Sequence, residues 1–237
     1  NAKFKIEKLL QYAENFSCNY IATGHYARKK ASLIGIAKDS WKDQSFMLYR
    51  LSEKQREKLL LPLGEMMKDE VKNFVQQCGY EEIANKRESF GLCFTNGKHY
   101  SEFLLEKYPE LKKLENGKVF NKNNQVIGTH KGYPFYTIGQ YKGLNCEGKQ
   151  YINKIIAEEN AIFVGEKSEC YFSTLRLNSL VFSQNIENIK KDTPYLTKIR
   201  GKDEGNFATL REISSNHSII EFSQRVFAPM QGQDVVV

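Results

Sequence analysis

The sequence has no long hydrophobic run. None of its apolar stretches approaches the roughly 20 residues that a membrane-spanning helix needs, and the first five residues contain no apolar signal-peptide core. This composition excludes an integral helical membrane protein. We therefore expect a cytoplasmic protein with no membrane partner.

Cysteine is scarce, odd in number and scattered. The 237 residues contain five cysteines, at positions 18, 78, 93, 146 and 170. They form neither a disulfide framework nor a Cys-x-x-Cys metal site, so we expect no structural metal bound by the protein. Any cysteine chemistry should be catalytic. The sequence also lacks internal repeats and low-complexity segments.

Positive charge is abundant and unevenly distributed. The chain has 35 Lys+Arg against 28 Asp+Glu, a net charge of +7, and residues 118 to 154 hold six lysines and one acid, Glu147. Aromatic residues such as Tyr136 and Tyr141 alternate with these lysines. The mixture suits a nucleic acid, whose phosphates attract lysines and whose bases stack on rings. A solvated lysine face over an ordinary aromatic core explains it equally well.

The first 26 residues have the pattern of a helix that leads into a buried strand. Apolar residues recur with helical period from Ile6 to Phe16, and an unbroken apolar run follows from Tyr20 to Thr23. Such a run predicts a strand of a parallel sheet, covered on both faces. Ligand sites lie at the carboxyl ends of such strands, which here places Gly24 and His25 at a candidate site.

Further helices and strands follow from local patterns. We predict helices at about 52–60, 67–78 and 99–107, the second with Cys78 in the core and a stop at Gly79. A turn at 121–124 predicts a hairpin. Further predicted strands lie at 33–37, 135–138, 151–156 and 161–164, and short β segments from about residue 166 predict a small barrel or sandwich.

Cys93 is the candidate for cysteine chemistry. It follows Gly91 and Leu92 and precedes Phe94, and the glycine permits close backbone approach and some exposure of the thiol. A cysteine between two apolar residues is also commonly a small buried hydrophobe. The residues alone leave both interpretations open.

Five motifs, taken in order, resemble the tRNA-specific 2-thiouridylase family, and the resemblance covers nearly the whole chain. The motifs are Ala22-Thr23-Gly24-His25-Tyr26, Lys42-Asp43-Gln44-Ser45, Leu61-Pro62-Leu63-Gly64, Gly91-Leu92-Cys93-Phe94 and Phe135-Tyr136-Thr137-Ile138-Gly139-Gln140. The resemblance implies an α/β plus β fold. It would comprise the C-terminal part of a Rossmann-like adenine-nucleotide domain of the pyrophosphatase-loop type, a small central domain and a C-terminal β-barrel.

The resemblance also implies domain limits and absent parts. Residues 1–94 would be the C-terminal part of the nucleotide-binding catalytic domain, 95–165 a central tRNA-binding domain and 166–237 the β-barrel. The family's Ser-Gly-Gly-x-Asp-Ser loop, which grips pyrophosphate, and a first catalytic cysteine just before the position of Asn1 are not in this sequence. We therefore expect the chain alone to bind ATP weakly and to show no catalytic turnover.

The site residues are implied by the resemblance, position by position. Cys93 would carry a persulfide that attacks C2 of the wobble uridine after ATP has activated it, and a disulfide with the first cysteine would result. Gly24 would approach ATP. The implied tRNA contacts are His25, Lys42, Asp43, Gln44, Arg200 and Gln231. The cofactors would be ATP with Mg²⁺, and the partners tRNA and a persulfide donor or relay protein.

Departures from the family pattern leave other functions open. Glu88-Ser89, Tyr141-Lys142 and Pro229-Met230-Gln231 differ from the family's usual residues. One alternative is an RNA-binding module without catalysis, in which Cys93 is merely buried. Another is a different adenylating enzyme of the pyrophosphatase-loop type, which needs no thiol after Leu92.

Overall fold

The computed structural model describes residues 2–86, 95, 97–182, 188–214 and 216–237. The chain forms two compact units. The first comprises Asn1–Arg87, Thr174–Gln224 and Gln233–Val237, and the second comprises Glu88–Ser173 and Arg225–Gly232. The division into three domains stays a prediction.

The described residues contain helices and strands in the following order. The α-helices are α1 (Glu7–Asn15), α2 (Glu53–Glu57), α3 (Lys68–Gln77), α4 (Glu81–Asn85) and α5 (Tyr100–Lys107). The strands are β1 (Ile21–Ala22), β2 (Arg28–Lys30), β3 (Leu33–Gly35), β4 (Leu59–Leu60), β5 (Gly117–Phe120), β6 (Val126–His130), β7 (Asn145–Cys146), β8 (Tyr151–Ile156), β9 (Ala161–Gly165), β10 (Tyr171–Asn178), β11 (Pro194–Thr197), β12 (Asn206–Ile213) and β13 (His217–Phe227). No described helix has the length and apolar character needed to cross a bilayer.

The first unit begins with the predicted helix and strand. Strand β1 pairs in parallel with β4, as the apolar run predicted. A core packs beneath them, formed by Ile6, Ala13, Ile21, Ala27, Leu48, Leu51 and Leu59. The prediction that β1 is covered on both faces is wrong for the described chain, because Ile21 is buried whereas Ala22 is exposed and Tyr20 is 58% exposed.

The helix predicted at 52–60 is shorter than expected. Ser52 starts α2 with a capping box, in which its side chain accepts from the Gln55 amide. The helix ends at Glu57, and Leu59 and Leu60 form β4 instead. Leu59 is fully buried in the core, so burial in the sheet outweighs the helical pattern.

Helix α3 forms where the sequence predicted it, but its apolar face is not buried. Glu70 accepts from the Met67 amide at the start, and Gly79 has φ +84° at the end. No residue of α3 is buried, and Phe74 is 59% exposed. The prediction that Cys78 lies in the core is therefore wrong, since Cys78 is exposed. Periodicity identifies an apolar face but not what covers it.

The C-terminal part forms a four-stranded sheet in the order β10-β13-β12-β11. Strands β11, β12 and β13 pair antiparallel, with an irregularity between Leu210 and Glu212. The predicted short β segments are confirmed, and Ala208 and Leu210 bury alternate positions of β12. Closure into a barrel stays a prediction.

The second unit contains a five-stranded sheet in the order β7-β6-β5-β9-β8. Its central pair, β5 and β9, is parallel, and the other pairs are antiparallel. Val119, Ile152, Ile162 and Val164 form its core. The hairpin turn is as predicted: the Asn121 side-chain oxygen accepts from the amides of Asn123 and Gln125.

The strand predicted at 135–138 is not present. Residues Tyr133–Phe135 form a 3₁₀ turn with a proline in its first turn, and the residues after it are irregular. Gly132 and Gly139 flank this segment with φ of +119° and +81°. These positive φ angles turn the chain at both ends, so the segment between them does not join the sheet.

Candidate functional site

An open cleft of about 560 Å³ lies at the carboxyl end of β1 in the first unit. It is lined by Phe4, Lys5, Lys8, Leu9, Tyr12, Thr23, Gly24, His25 and Gln44. This position agrees with the rule that ligand sites lie beyond the carboxyl ends of parallel strands. The fold thus brings together three of the predicted site residues, Gly24, His25 and Gln44, although they come from two separate motifs.

Gly24 leaves open space beside its backbone. A Cβ built at this position would meet only Leu63 Cδ1, at an ordinary contact distance of 3.7 Å. The chain's own packing therefore does not require glycine here. The predicted close approach of a nucleotide would supply a reason for it, and that approach stays a prediction.

His25 is held in the cleft as a half-buried ring. Its Nδ1 lies 2.9 Å from Thr23 Oγ1. Burial, followed by the positive charge of Lys5, lowers the pKa of His25 below its ordinary value. The ring is therefore mainly neutral at pH 7, and it offers a hydrogen-bonding group to a ligand rather than a positive charge.

Gln44 is bound to the main chain of Tyr26 in both directions. The Gln44 backbone N–H donates to the Tyr26 carbonyl at 2.7 Å, and the side-chain Oε1 of Gln44 accepts from the Tyr26 backbone N–H at 3.1 Å. These bonds connect the end of the Thr23–Tyr26 segment with the Lys42–Ser45 motif. Because Oε1 is engaged, the Nε2 end of the side chain is the one suited to donate to a ligand.

Asp43 is a buried anchor. Its carboxylate accepts from Lys198 Nζ at 2.7 Å, from Ser45 Oγ at 2.8 Å and from the Ala37 amide at 2.9 Å. The side chains of Asp43 and Lys198 are only 1% and 9% exposed. Every partner of this carboxylate is within the protein, so Asp43 positions the motif, and only its main chain is left for the predicted tRNA contact.

Two further predicted residues lie at different places. Arg200 follows Lys198 in the first unit, and a Cβ at Gly201 would lie 3.5 Å from Met47, so this turn packs on the residues after the Lys42–Ser45 motif. Gln231 is exposed in the second unit. Cys93, the predicted persulfide carrier, falls outside the described residues.

The other four cysteines are free thiols. Cys18 and Cys78 are exposed, Cys146 is half-buried and Cys170 is buried. Burial raises the pKa values of the Cys146 and Cys170 thiols, which lowers their thiolate fraction at neutral pH. The exposed Cys18 and Cys78 are therefore the better thiols with which to compare the reactivity of Cys93.

The lysine-rich segment of the second unit places its cations over its rings. Lys149 Nζ lies 4.9 Å from the ring centroid of Tyr141 and 5.8 Å from that of Tyr151, and Lys142 Nζ lies 5.7 Å from Tyr141. Phe120 instead stacks on Phe163 at 5.1 Å. Tyr136 packs against the core of this sheet, whereas Tyr141, 43% exposed, and its lysines form a surface.

Sequence reasoning missed several residues of this region. Lys5, Lys8 and Tyr12 line the cleft because residues three or four positions apart lie on the same side of the first helical segment. The helical period of the apolar residues gives no indication of this polar side. No local pattern pointed to Lys198, whose partner is 155 positions away. Among the described residues, no group of three His, Cys, Asp or Glu side chains could hold a metal ion.

Two family models match the chain. The model described as "tRNA methyl transferase HUP domain" matches residues 1–97, and "tRNA methyl transferase PRC-barrel domain" matches residues 101–166. The HUP match supports the Rossmann-like part of the predicted fold. The barrel description falls on the range that we expected to be the small central domain.

Curated relatives match over essentially the whole chain. The tRNA-specific 2-thiouridylase MnmA of Halothermothrix orenii is 34% identical over 100% of this chain and 67% of that protein. The chain belongs to the tRNA-specific 2-thiouridylase family. The family's MnmA proteins of Natranaerobius thermophilus (34% identical, 99% of this chain, 65% of that protein) and Cytophaga hutchinsonii (30%, 100% and 66%) are similar in the same way. The chain thus spans about two thirds of the length of the 2-thiouridylases it matches.

Proposed function

We propose that this protein is a tRNA-uridine 2-sulfurtransferase, which replaces the C2 oxygen of a uridine in tRNA with sulfur at the expense of ATP. The supporting observation is the match along the whole chain to proteins named tRNA-specific 2-thiouridylase. The cleft at the carboxyl end of β1 supports the proposal, because it gathers Gly24, His25 and Gln44 from two motifs of that family.

The lining of the cleft fits an adenine nucleotide in its chemistry. Lys5 and Lys8 supply positive charge for phosphates, and Tyr12 supplies an aromatic surface for a base. The open space beside Gly24 allows a ligand to reach the backbone. Mg²⁺ would accompany the phosphates of ATP, where it is normally bound chiefly through phosphate and water oxygens.

Activation by ATP answers a chemical difficulty, since the C2 carbonyl oxygen of uridine is a poor leaving group. In the proposed reaction this oxygen attacks the α-phosphorus of ATP, and pyrophosphate leaves. The terminal sulfur of a Cys93 persulfide then bonds to C2, and AMP departs with the original oxygen and its bonding electron pair. Sulfur is now attached both to C2 and to Cys93 Sγ.

Release of the product needs a second thiol, which the resemblance places just before Asn1. Its thiolate attacks Cys93 Sγ, the sulfur–sulfur bond to the substrate breaks, and the electron pair stays with the sulfur on C2. The two cysteines end as a disulfide, oxidised by two electrons, and a dithiol reductant must restore them. A persulfide donor or relay protein then reloads Cys93.

Gln44 and His25 are suited to position the uracil ring. Uracil carbonyl oxygens accept hydrogen bonds, and the Nε2 end of the Gln44 amide is the end suited to donate. A neutral His25 can donate one hydrogen bond and accept another, whereas a charged ring could only donate. These two residues would orient the base, and Cys93 would react with it.

The decisive experiment uses the complete protein as its gene encodes it. The protein is incubated with tRNA, ATP, Mg²⁺ and a persulfide donor, and 2-thiouridine is measured by nucleoside mass spectrometry. We expect Cys93→Ser to abolish the product. Cys78→Ser, which removes an exposed thiol at the end of α3, should retain wild-type activity.

The remaining outcomes separate the alternatives. Thiouridine formed equally by Cys93→Ser would return Cys93 to a structural role and contradict the proposed mechanism. If neither the wild type nor the variants form thiouridine but the protein binds tRNA, the non-catalytic RNA-binding module is favoured. If pyrophosphate is released without thiolation, the protein is a different adenylating enzyme.

A further inference from the structure

Trp41 is the most exposed large hydrophobic side chain among the described residues, at 85% relative exposure. It is also the chain's only tryptophan. It occupies the middle of the 3₁₀ turn Ser40–Lys42, three residues before Gln44 of the cleft. A tryptophan this exposed does not gain the burial free energy that usually stabilises a large aromatic side chain in a folded protein.

The turn that carries Trp41 is fixed at both ends by buried carboxylates. On one side Asp39 caps the turn, accepting from the Lys42 amide at 3.3 Å and from the Lys68 amide at 2.9 Å. On the other side Asp43 forms the buried ion pair with Lys198. Both aspartates are at most 9% exposed. The backbone on either side of the ring is therefore anchored, although the ring itself faces solvent.

The charges around this turn favour an anionic partner. The carboxylates of Asp39 and Asp43 are buried and bonded within the protein, so neither presents negative charge beside the ring, and Lys42 follows Trp41 in the turn. The chain has a net charge of +7. The nearby turn that packs against Phe46 and Met47 carries Arg200 and Lys202 together with Asp203 and Glu204. Exposed aromatic rings beside cations are the usual surface for single-stranded nucleic acid.

We propose that Trp41 is a stacking residue for an unpaired base of the RNA substrate, close to the base that enters the cleft. This inference rests on the proposed function and extends it. A ring on an anchored turn loses little conformational entropy when a base stacks on it. Trp41 would thus help to select a substrate whose target uridine lies in a single-stranded loop.

Trp41 is the only tryptophan of the 237 residues, and the difference in intrinsic emission between the wild type and Trp41→Phe isolates its signal in the complete protein. The complete protein is titrated with an unmodified tRNA transcript labelled at its 3′ end. Anisotropy of the label reports binding, and tryptophan emission reports contact with Trp41. We expect quenching that saturates together with the anisotropy change.

Variants test whether the contact contributes to affinity. Loss of one stacked base corresponds to roughly 5- to 150-fold weaker binding, which we expect for Trp41→Ala. Trp41→Phe should retain most of the affinity, because the ring remains. Tyr80→Ala is the matched control, since Tyr80 is 60% exposed in the same unit, and we expect its affinity to be unchanged. Circular dichroism confirms that each variant is folded.

Three results would overturn the inference. Binding of tRNA without quenching, with Trp41→Ala binding as tightly as wild type, would remove Trp41 from the interface and leave the proposed function standing. A concentration-dependent change of emission without RNA, together with a dimer in sedimentation, would assign the ring to self-association. If the complete protein does not bind tRNA at all, the proposed function and this inference both fail.

Discussion

The two units each contain a family motif that shapes a turn, but the turns are anchored by different forces. In the first unit, Asp43 of the Lys42–Ser45 motif forms a buried ion pair with Lys198, 155 residues further along the chain. In the second unit, Tyr136 and Gln140 bond to nearby main chain: the Tyr136 hydroxyl donates to the Gly143 carbonyl at 3.0 Å, and Gln140 Nε2 donates to the Lys142 carbonyl at 2.7 Å.

The difference separates residues that shape a site from residues that touch a ligand. In both motifs a polar side chain is hydrogen-bonded to another part of the protein. The groups left on the surface are neighbours, Trp41 in the first case and Tyr141 with Lys142 in the second. The motif side chain of the first turn pairs with a distant part of the chain, whereas Tyr136 and Gln140 of the second bond to main chain within seven positions. The backbone of the second turn also bonds to Ile152.

The largest effect is expected from breaking the buried ion pair. Lys198→Met leaves the Asp43 carboxylate buried without its cation, and such a loss typically costs about 3–5 kcal/mol. Urea unfolding followed by circular dichroism measures the change. The double variant Asp43→Asn/Lys198→Met has no unpaired charge and should recover part of the loss. A cost below about 1 kcal/mol would mean that the pair behaves like a surface salt bridge.

A smaller effect is expected from crowding the second turn. A Cβ at Gly139 would lie 2.6 Å from Ala228 Cβ, and the backbone φ is +81°. Gly143 has a similar φ of +84°, but its nearest contact would be 3.7 Å away. Both alanine variants carry the cost of positive φ, so Gly139→Ala should lose roughly 1–3 kcal/mol more in urea unfolding. Equal losses would show that the Ala228 contact is easily relieved.

The smallest effect on stability is expected from the exposed lysines of the second unit. Lys149→Gln should cost only about 0.5–1 kcal/mol of unfolding free energy, because its cation lies over exposed rings. If the segment binds tRNA phosphates, Lys142→Gln and Lys149→Gln should each reduce the slope of log affinity against log salt by about one. An unchanged slope would mean that these lysines only cover the rings.

Elements with local causes were predictable from the sequence. The ends of α3 follow from Glu70 and Gly79, and the hairpin turn follows from Asn121. In each case the bond or the φ angle involves residues within four positions of one another. The ends of α3 and the hairpin turn could therefore be predicted without knowledge of the rest of the chain.

Errors arose where a residue's partner was distant or absent. Leu59 carried a helical pattern but joined a sheet, and Cys78 lay on an apolar face that the described residues leave exposed. The candidate site divides in the same manner. Its residue types were predictable from the motifs, whereas the meeting of His25 with Gln44 at one cleft depended on the hydrogen bonds between Gln44 and Tyr26, 18 positions apart.

The sequence by itself determined the family, the ends of α3, the hairpin turn at Asn121 and the residue types at the proposed site, because these follow from motifs and from interactions over a few positions. Only the tertiary structure decided that Asp43 faces inward to Lys198 while Trp41 faces solvent. The physical reason is that burial depends on which distant segments pack together, and a residue's own neighbours in sequence do not specify that packing.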